Sequence, residues 1–192
     1  VYGLEGVFPV ARTEIGRLAA IASEEILYPE IARALALRGA EVFLHSSSEV
    51  GSPRLTPKDV AKRARALENL CYLVSANTAG IEGVDMPFAS ADGMSKVVDF
   101  LGDVRAEALS GESANACAEI DLAALRRYRR RGGMGNLLSR QRLELFAATY
   151  AGSVYPPNTM LDADGRTPVP DRSHFVATQR AVLERLERDG LI

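Results

Sequence analysis

Ser23 is the residue of this sequence that is best placed to act as a nucleophile. It follows the apolar stretch 18–22 and stands directly before Glu24 and Glu25, where a helical pattern begins. At a strand-to-helix turn a hydroxyl can point into a pocket, and backbone N–H groups of the helix start can hold an oxyanion there. The same serine is also a good helix N-cap, since carboxylates suit the positive end of a helix dipole. Both roles remain open from the residues alone.

A serine nucleophile needs a base, and two histidines are available, His45 and His174. His45 ends the next predicted strand and could reach Ser23 from there. A lone histidine at a strand end is more often structural, and no G-x-S-x-G motif is present. We therefore keep a Ser23–His45 pair only as an alternative.

Other patterns that could bind a ligand are incomplete. The DADG segment at Asp162 resembles the start of a calcium loop, but its glycine comes too early and position twelve is Ser173. The run 126–131 is rich in arginine, which is ordinary near a helix C-terminus. Neither a P-loop nor a G-x-G-x-x-G motif occurs, so we expect no cofactor and no metal.

The composition is that of a globular domain. The chain has 192 residues, 47% of them hydrophobic, and a net charge of −2, which gives no general reason to bind nucleic acid or anionic lipid. Cys71 and Cys117 lack CxxC spacing, so we expect neither a disulfide nor a zinc site, and a reducing, cytoplasmic compartment. There is no apolar run of about 18 residues and no leader pattern, so neither a membrane span nor a signal peptide is predicted.

Strands and helices alternate in the first half of the chain. Buried strands are predicted at 18–22, 41–46 and 71–77, because each is apolar over most of its length. A helix is predicted at 24–38, ending at Gly39, and another at 58–70, with Thr56 as N-cap and Pro57 as its first residue.

The second half predicts a strand meander followed by helices. Weaker strands are predicted at 95–100, 104–109 and 114–120, and Asp121 should cap a short helix. Two helical pieces are predicted at 137–150 and 174–188. The fold class is therefore mixed α and β, with a sheet covered by helices.

The segment 16–48, GRLAAIASEEILYPEIARALALRGAEVFLHSSS, resembles the nucleophile segment of the nitrilase, or carbon–nitrogen hydrolase, superfamily. In that family a strand ends in cysteine, an acidic residue follows two positions later, and an aromatic residue, proline and glutamate come next. The positions that keep this register are Tyr28, Pro29, Glu30, Arg33, Gly39, Ala40 and His45. That register puts Ser23 at the place of the cysteine and Glu25 at the acidic position.

Two further segments carry the same resemblance. Residues 64–80, ARALENLCYLVSANTAG, are similar to the family pattern R-x-x-E-N-x-x-Y-x-x-x-x-N, and residues 118–129 are similar to its closing strand and helix. The resemblance covers about residues 7 to 150.

The resemblance implies an αββα sandwich that assembles into dimers or larger homo-oligomers. It implies that residues 1–135 form the C-terminal portion of the hydrolase domain, and that 136–192 form an arm that packs on a neighbouring subunit. The family's chemistry uses a cysteine thiolate as nucleophile, a glutamate as general base and a lysine that stabilises the tetrahedral intermediate.

Two departures from the family bear on this chain. The family's glutamate and lysine lie well upstream of the nucleophile, whereas only 22 residues precede Ser23 here, the first being valine. We therefore expect an additional N-terminal segment, in the same polypeptide or supplied by another chain. The second departure is Ser23 itself, which is open to three interpretations: an engineered change, a natural serine nucleophile, or loss of hydrolysis.

The sequence thus predicts a hydrolase that acts on a non-peptide C–N bond of a small amide or nitrile through a covalent acyl intermediate. Ser23 occupies the nucleophile position, and Glu25, Tyr28, His45 and Asn77 are the candidate pocket residues. The alternative is a binding or scaffold protein of the same fold that has lost hydrolysis. We expect a small-molecule partner and a homo-oligomer, and neither nucleic acid nor a membrane.

Overall fold

A computed structural model describes residues 3–49, 56–88, 91–109, 113–162 and 164–192. The chain divides into two compact units, Val1–Gln141 and Arg142–Ile192.

A six-stranded mixed sheet forms the centre of the first unit, with its strands in sequence order. The strands are β1 Ala11–Thr13, β2 Gly16–Ala22, β3 Val42–Ser47, β4 Tyr72–Asn77, β5 Lys96–Val98 and β6 Val104–Glu107. β2, β3 and β4 run parallel, and the outer pairings are antiparallel. The five strands predicted at these places are confirmed. The strand predicted at 114–120 is wrong: the structure gives this stretch no regular structure, and its small and polar residues offer little apolar surface for a sheet to bury.

The helices of the first unit that lie within the described residues are four α-helices and one 3₁₀ helix. They are α1 Gly3–Val7, the 3₁₀ helix Ser23–Leu27, α2 Pro29–Leu37, α3 Pro57–Asn69 and α4 Leu122–Arg130. The predicted helix 24–38 is broken at Tyr28, which is extended (φ −96°, ψ 107°), because a residue before proline avoids the helical region. Gly39 ends α2 as predicted, with φ +100°. Asp121 caps α4 as predicted, accepting from Ala124 N–H at 2.7 Å.

The core lies between the sheet and the two crossover helices. Ile21, Phe43 and Leu73 come from three neighbouring strands, and they share a buried cluster with side chains of α2 and α3 such as Leu35 and Ala66. Burial of each large apolar side chain contributes roughly 1.5–3 kcal/mol. Both crossover helices therefore lie on one face of the sheet, and their packing fixes where the parallel strands end.

The other face of the sheet is only partly covered. Near the start of the parallel strands, Val42 and Tyr72 pack against Leu125 of α4 and against Phe100. Toward the carboxyl ends the same face is open, and Leu44 is 42% exposed there. The neighbouring residues Ala20, Ala22, Ser46 and Ala76 are also exposed.

A buried carboxylate joins α4 to the sheet. Arg126 donates to Glu41 through Nε at 2.7 Å and Nη2 at 3.0 Å, and Arg17 donates at 3.2 Å. The hydrogen bonds from Arg126 above all, aided by Arg17, lower the pKa of Glu41 to about 2 although burial opposes them. This contact holds α4 at the end of the sheet opposite to Ser23.

The second unit is helical but mostly irregular. It contains a 3₁₀ helix Leu143–Leu145, α5 Ala147–Tyr150 and α6 Arg172–Arg188, which confirms the predicted helix 174–188. The helix predicted at 137–150 forms only in part, as the 3₁₀ helix and α5, and its first residues are not helical. One reason lies at its start, where the Asn136 side chain accepts from Ser139 N–H and donates to two carbonyls, in competition with helical backbone bonds. Within the described ranges, no helix is long and apolar enough to cross a membrane.

Candidate active site

The candidate site lies at the carboxyl edge of the three parallel strands. Strand pairing sets Ala22 opposite Ser46 and Ser47 opposite Asn77, so that the ends of β2, β3 and β4 lie side by side. Open α/β sheets bind ligands outside the carboxyl ends of their strands. Ser23 follows β2 at this edge.

Ser23 has a backbone conformation that is unusual for a residue with a side chain. Its φ is +42°, and it is the first residue of the 3₁₀ helix rather than the cap. The left-handed region costs a non-glycine residue roughly 1–2 kcal/mol, and such residues cluster at functional sites. The predicted capping role of Ser23 is therefore wrong. Glu25 takes that role, since its Oε2 accepts from Ala22 N–H at 2.7 Å.

His45 supports the backbone of Ser23 and forms no hydrogen bond with its hydroxyl. It is 2% exposed, its Nε2 lies 3.0 Å from the Ser23 carbonyl oxygen, and its Nδ1 lies 2.8 Å from Ser75 Oγ. Because a carbonyl only accepts, we assign the proton to Nε2, and Nδ1 then accepts from Ser75. Burial lowers the pKa of His45 and keeps the ring neutral. Both nitrogens are thus occupied, and the structure offers no support for His45 as the base of Ser23.

Lys58 contacts the hydroxyl of Ser23. Its Nζ lies 3.3 Å from Ser23 Oγ, and it comes from the first turn of α3. The sequence analysis did not identify this lysine. A signal was available, because the Thr56-Pro57 start of α3 follows β3 and so returns the chain to the same edge of the sheet.

A buried cluster of charged groups holds the start of α3 in place. Lys62 Nζ lies 3.1 Å from Glu49 and 3.5 Å from Asp59, and Lys96 Nζ lies 2.8 Å from Asp59 and 2.5 Å from Glu107. Burial alone would raise the pKa of Asp59, but the hydrogen bond from Lys96 and the charge of Lys62 lower it. These pairs connect α3 to the sheet, and so fix where Lys58 stands.

Thr56 adds two bonds at the same point. Its Oγ1 accepts from Asp59 N–H at 3.2 Å, as expected of an N-cap. The hydroxyl also donates to Glu49 Oε1 at 3.0 Å. The end of the β3 segment is thereby tied directly to the start of α3.

Asn77 and Tyr28 form no hydrogen bond with Ser23 in the structure. The Asn77 side chain accepts from Glu49 N–H and donates to the Gly93 carbonyl, both at 2.9 Å, and it lines a cavity of about 400 Å³. Tyr28 is 59% exposed and contributes its extended backbone to the start of α2. Among the predicted site residues, the structure thus brings together Ser23, Glu25 and His45.

Neither cysteine takes the place of the missing thiol. Cys71 is fully buried in the core, where burial raises its pKa to about 12. Cys117 is exposed in the irregular stretch before α4. No group of three or more histidine, cysteine or acidic side chains in the described part of the chain is arranged to hold a metal ion.

Comparison with known families identifies the class of protein to which this site belongs. The family model for carbon–nitrogen hydrolases matches residues 2–130. The chain therefore belongs to the carbon–nitrogen hydrolase family, within the nitrilase superfamily.

Curated relatives match over part of their length. The nitrilase and fragile histidine triad fusion protein of Caenorhabditis elegans is 34% identical over 118 residues, which are 61% of this chain and 26% of that protein. Human deaminated glutathione amidase is 33% identical over 118 residues, which are 62% of this chain and 35% of that protein. The chain thus spans about a quarter to a third of the length of these relatives.

Solved structures share the fold. A carbon–nitrogen hydrolase from Helicobacter pylori superposes with a TM-score of 0.64 at 26% identity, covering 74% of this chain and 52% of that one. A mutant of an amidase from Nesterenkonia sp. AN1, solved in complex with butyramide, gives a TM-score of 0.57 at 28% identity, covering 73% of this chain and 46% of that one. The structure of another mutant of that amidase shows covalent addition of the acetamide moiety of fluoroacetamide at the active-site cysteine.

Proposed function

We propose that the protein hydrolyses a C–N bond of a small amide or nitrile, with Ser23 as the nucleophile. The observation that carries this proposal is the left-handed backbone of Ser23 at the carboxyl end of β2, in a chain of the carbon–nitrogen hydrolase family. The names of the human and Nesterenkonia relatives describe them as amidases, and the latter binds butyramide, which supports a small amide as substrate.

The reaction has two stages. Ser23 Oγ forms a bond to the amide carbon, and breaking the C–N bond releases ammonia or an amine and leaves an acyl ester on Ser23. Water then cleaves the ester, releasing an acid and restoring the hydroxyl. Because a neutral hydroxyl is a weaker nucleophile than a thiolate, a base must take its proton. By resemblance, a further glutamate and lysine would come from an N-terminal segment or from another chain.

A second sheet is part of the same proposal. The open face near Leu44 is apolar, and a sheet must bury its apolar face against another layer. We infer that the remaining layers of the αββα sandwich cover it. The arm 136–192, which we infer packs on a neighbouring subunit of a homo-oligomer, is then a contact between copies.

Ammonia release tests the function directly. The complete polypeptide is incubated with short-chain amides and nitriles, beside its Ser23→Ala and Ser23→Cys forms. We expect turnover by the unaltered protein and a loss of at least about a thousandfold in Ser23→Ala, since removing a nucleophile removes the covalent route. Ser173→Ala, which alters an exposed serine of the second unit, is the matched control. Absence of ammonia from both the unaltered protein and Ser23→Cys would contradict the proposal.

The alternative is a binding or scaffold protein that has lost hydrolysis. The observation in its favour is that a serine hydroxyl stands where the family has a cysteine thiol. It predicts that Ser23→Ala binds butyramide in calorimetry as tightly as the unaltered protein, while neither releases ammonia. A clear loss of activity in Ser23→Ala would exclude it.

A further inference from the structure

We propose that a cavity lined by arginines, at the end of the sheet opposite to Ser23, binds a small phosphorylated ligand with two or more negative charges. The cavity has a volume of about 380 Å³, and residues of the β1–β2 hairpin and of α4 line it. The lining consists of Thr13, Gly16, Arg17, Glu41, Arg126, Arg129 and Arg130. This inference is independent of the proposed function, because it uses none of the residues around Ser23.

The cavity carries more positive than negative charge. Four guanidinium groups against one carboxylate leave its lining with a net charge of +3, in a chain whose net charge is −2. The hydrogen bonds from Arg126 above all lower the pKa of Glu41 to about 2, so this carboxylate is already ionised in that balance. Arginine keeps its proton in proteins. The excess of positive charge therefore persists at neutral pH.

The guanidinium groups are held in place and still have donors to offer. A guanidinium has five N–H donors. Arg126 uses its Nε and Nη2 to bind Glu41, Arg17 uses its Nη2, and the two side chains remain 47% and 40% exposed. Arg129 donates to two backbone carbonyl oxygens, which orient the side chain without neutralising its charge. An anion that enters the cavity therefore meets guanidinium groups that need little further ordering.

Like charges stand beside one another around this cavity. Arg12 is directly opposite Arg17 in the pairing of β1 with β2, so both side chains lie on the same face of the hairpin. Arg126 and Arg130 are four residues apart on α4 and are neighbours on its surface. A helix C-terminus favours cations, which accounts for arginines at the end of α4 but not for their meeting the arginines of the hairpin. Like-charge pairs of this kind are unfavourable, and a bound anion would relieve them.

Phosphate is the anion that fits this lining best. A guanidinium binds phosphate oxygens through two parallel hydrogen bonds, and a phosphate ester or pyrophosphate brings two or more negative charges to a lining of +3. The described residues of the lining include no aromatic side chain on which a nucleobase could stack. The ligand is therefore recognised through its phosphate groups, and the volume of the cavity suits a small molecule.

Calorimetric titration of the complete polypeptide with pyrophosphate tests the site. At physiological ionic strength, where salt screens distant exposed charges, we expect saturable binding of one pyrophosphate per chain. Arg130→Gln should weaken this binding at least about tenfold, because a hydrogen bond to a charged group contributes that much. Arg127→Gln is the matched control, since it makes the same change of charge at an exposed position of the same helix, outside the lining. It should leave the affinity nearly unchanged.

Thermal unfolding checks that the variants are folded and gives a second measure of binding. Arg130 is exposed, and no ion pair of the described residues includes it, so Arg130→Gln should not lower the unfolding temperature. Pyrophosphate should raise the unfolding temperature of the unaltered protein and of Arg127→Gln more than that of Arg130→Gln, because a ligand stabilises the folded state that binds it.

Titration with glycerol phosphate distinguishes a phosphate monoester from pyrophosphate as the ligand, and site-dependent binding of either supports the proposal. Absence of binding by both, or an equal loss of affinity in Arg127→Gln and Arg130→Gln, would overturn it. Citrate that binds as tightly as pyrophosphate would overturn the assignment to phosphate. Binding of an oligonucleotide but of neither small phosphate would overturn the proposal as well, since these arginines would then contact a nucleic-acid backbone.

Discussion

At the scale of single residues, Ser23 is held by its backbone, and among the described residues Lys58 contacts its hydroxyl. His45 donates to its carbonyl, Glu25 accepts from the preceding N–H, and Lys58 meets the hydroxyl. The sequence pattern placed Ser23, Glu25 and His45 at one edge. It could not predict the role of His45, because that role depends on a hydrogen bond between His45 Nδ1 and Ser75, which lies on another strand.

The state of His45 gives a prediction about pH. Burial lowers its pKa in the folded protein, so below about pH 6.5 the unfolded chain binds a proton that the folded chain does not. Stability should therefore fall as the pH drops from about 7.5 to about 5.5, and His45→Gln should remove on the order of 1 kcal/mol of that fall. Urea unfolding at the two pH values measures it. His174→Gln is the control, and an equal fall in His45→Gln and in the unaltered protein would contradict the assignment.

At the scale of elements, the sequence predicted the parallel strands and their crossover helices well. Each of these elements has a local signal in the sequence, such as Gly39 at the end of α2 or Thr56 and Pro57 at the start of α3. The apolar residues that each element buries in the core favour the same structure. The prediction failed at 114–120 and held only in part at 137–150, where local signal and buried partners do not agree. Lys58 was missed for a different reason, since its contact joins two elements and depends on the buried charges beneath α3.

The cap of α3 should matter to activity as well as to stability. Thr56→Val removes a cap and the hydrogen bond to Glu49, at a cost of about 1 kcal/mol or somewhat more. Because Lys58 follows two residues later and contacts the Ser23 hydroxyl, we also expect slower release of ammonia. Asp171→Ala, which removes the cap of α6, is the control and should cost stability without slowing ammonia release. Thermal unfolding and ammonia release are the two measurements, and an unaltered rate of ammonia release in Thr56→Val would contradict this prediction.

At the scale of the whole molecule, the partly exposed sheet face around Leu44 is the feature of the first unit that calls for a partner layer. Both crossover helices lie on the opposite face, and α4 covers the part around Val42 and Tyr72. The family resemblance predicted a second sheet from the motifs alone. The structure adds the location of the surface that this second sheet would cover. Sequence periodicity could not give that location, because a strand with small residues on one face has the same pattern whether that face is covered or exposed.

Leu44 tests whether this face is covered in the complete protein. If a second layer packs on it, Leu44→Glu places a charge in an apolar interface and should lower the free energy of unfolding by at least about 2 kcal/mol. If the face is open to water, the change should stay within about 0.5 kcal/mol, as for a surface position. Ile15→Glu, at an exposed apolar residue of the β1–β2 turn, is the matched control. Denaturant unfolding of the complete polypeptide measures both.

The most direct test of the central claim is to trap the acyl group during turnover. A reaction of the complete polypeptide with butyramide is stopped in acid and digested with trypsin, which releases residues 18–33 as one peptide with Ser23 and Tyr28 as its hydroxyl-bearing residues. The account predicts a butyryl group on this peptide, located at Ser23 by fragmentation, appearing and decaying as ammonia is released. Ammonia release with no acyl group on Ser23 at any time would contradict it.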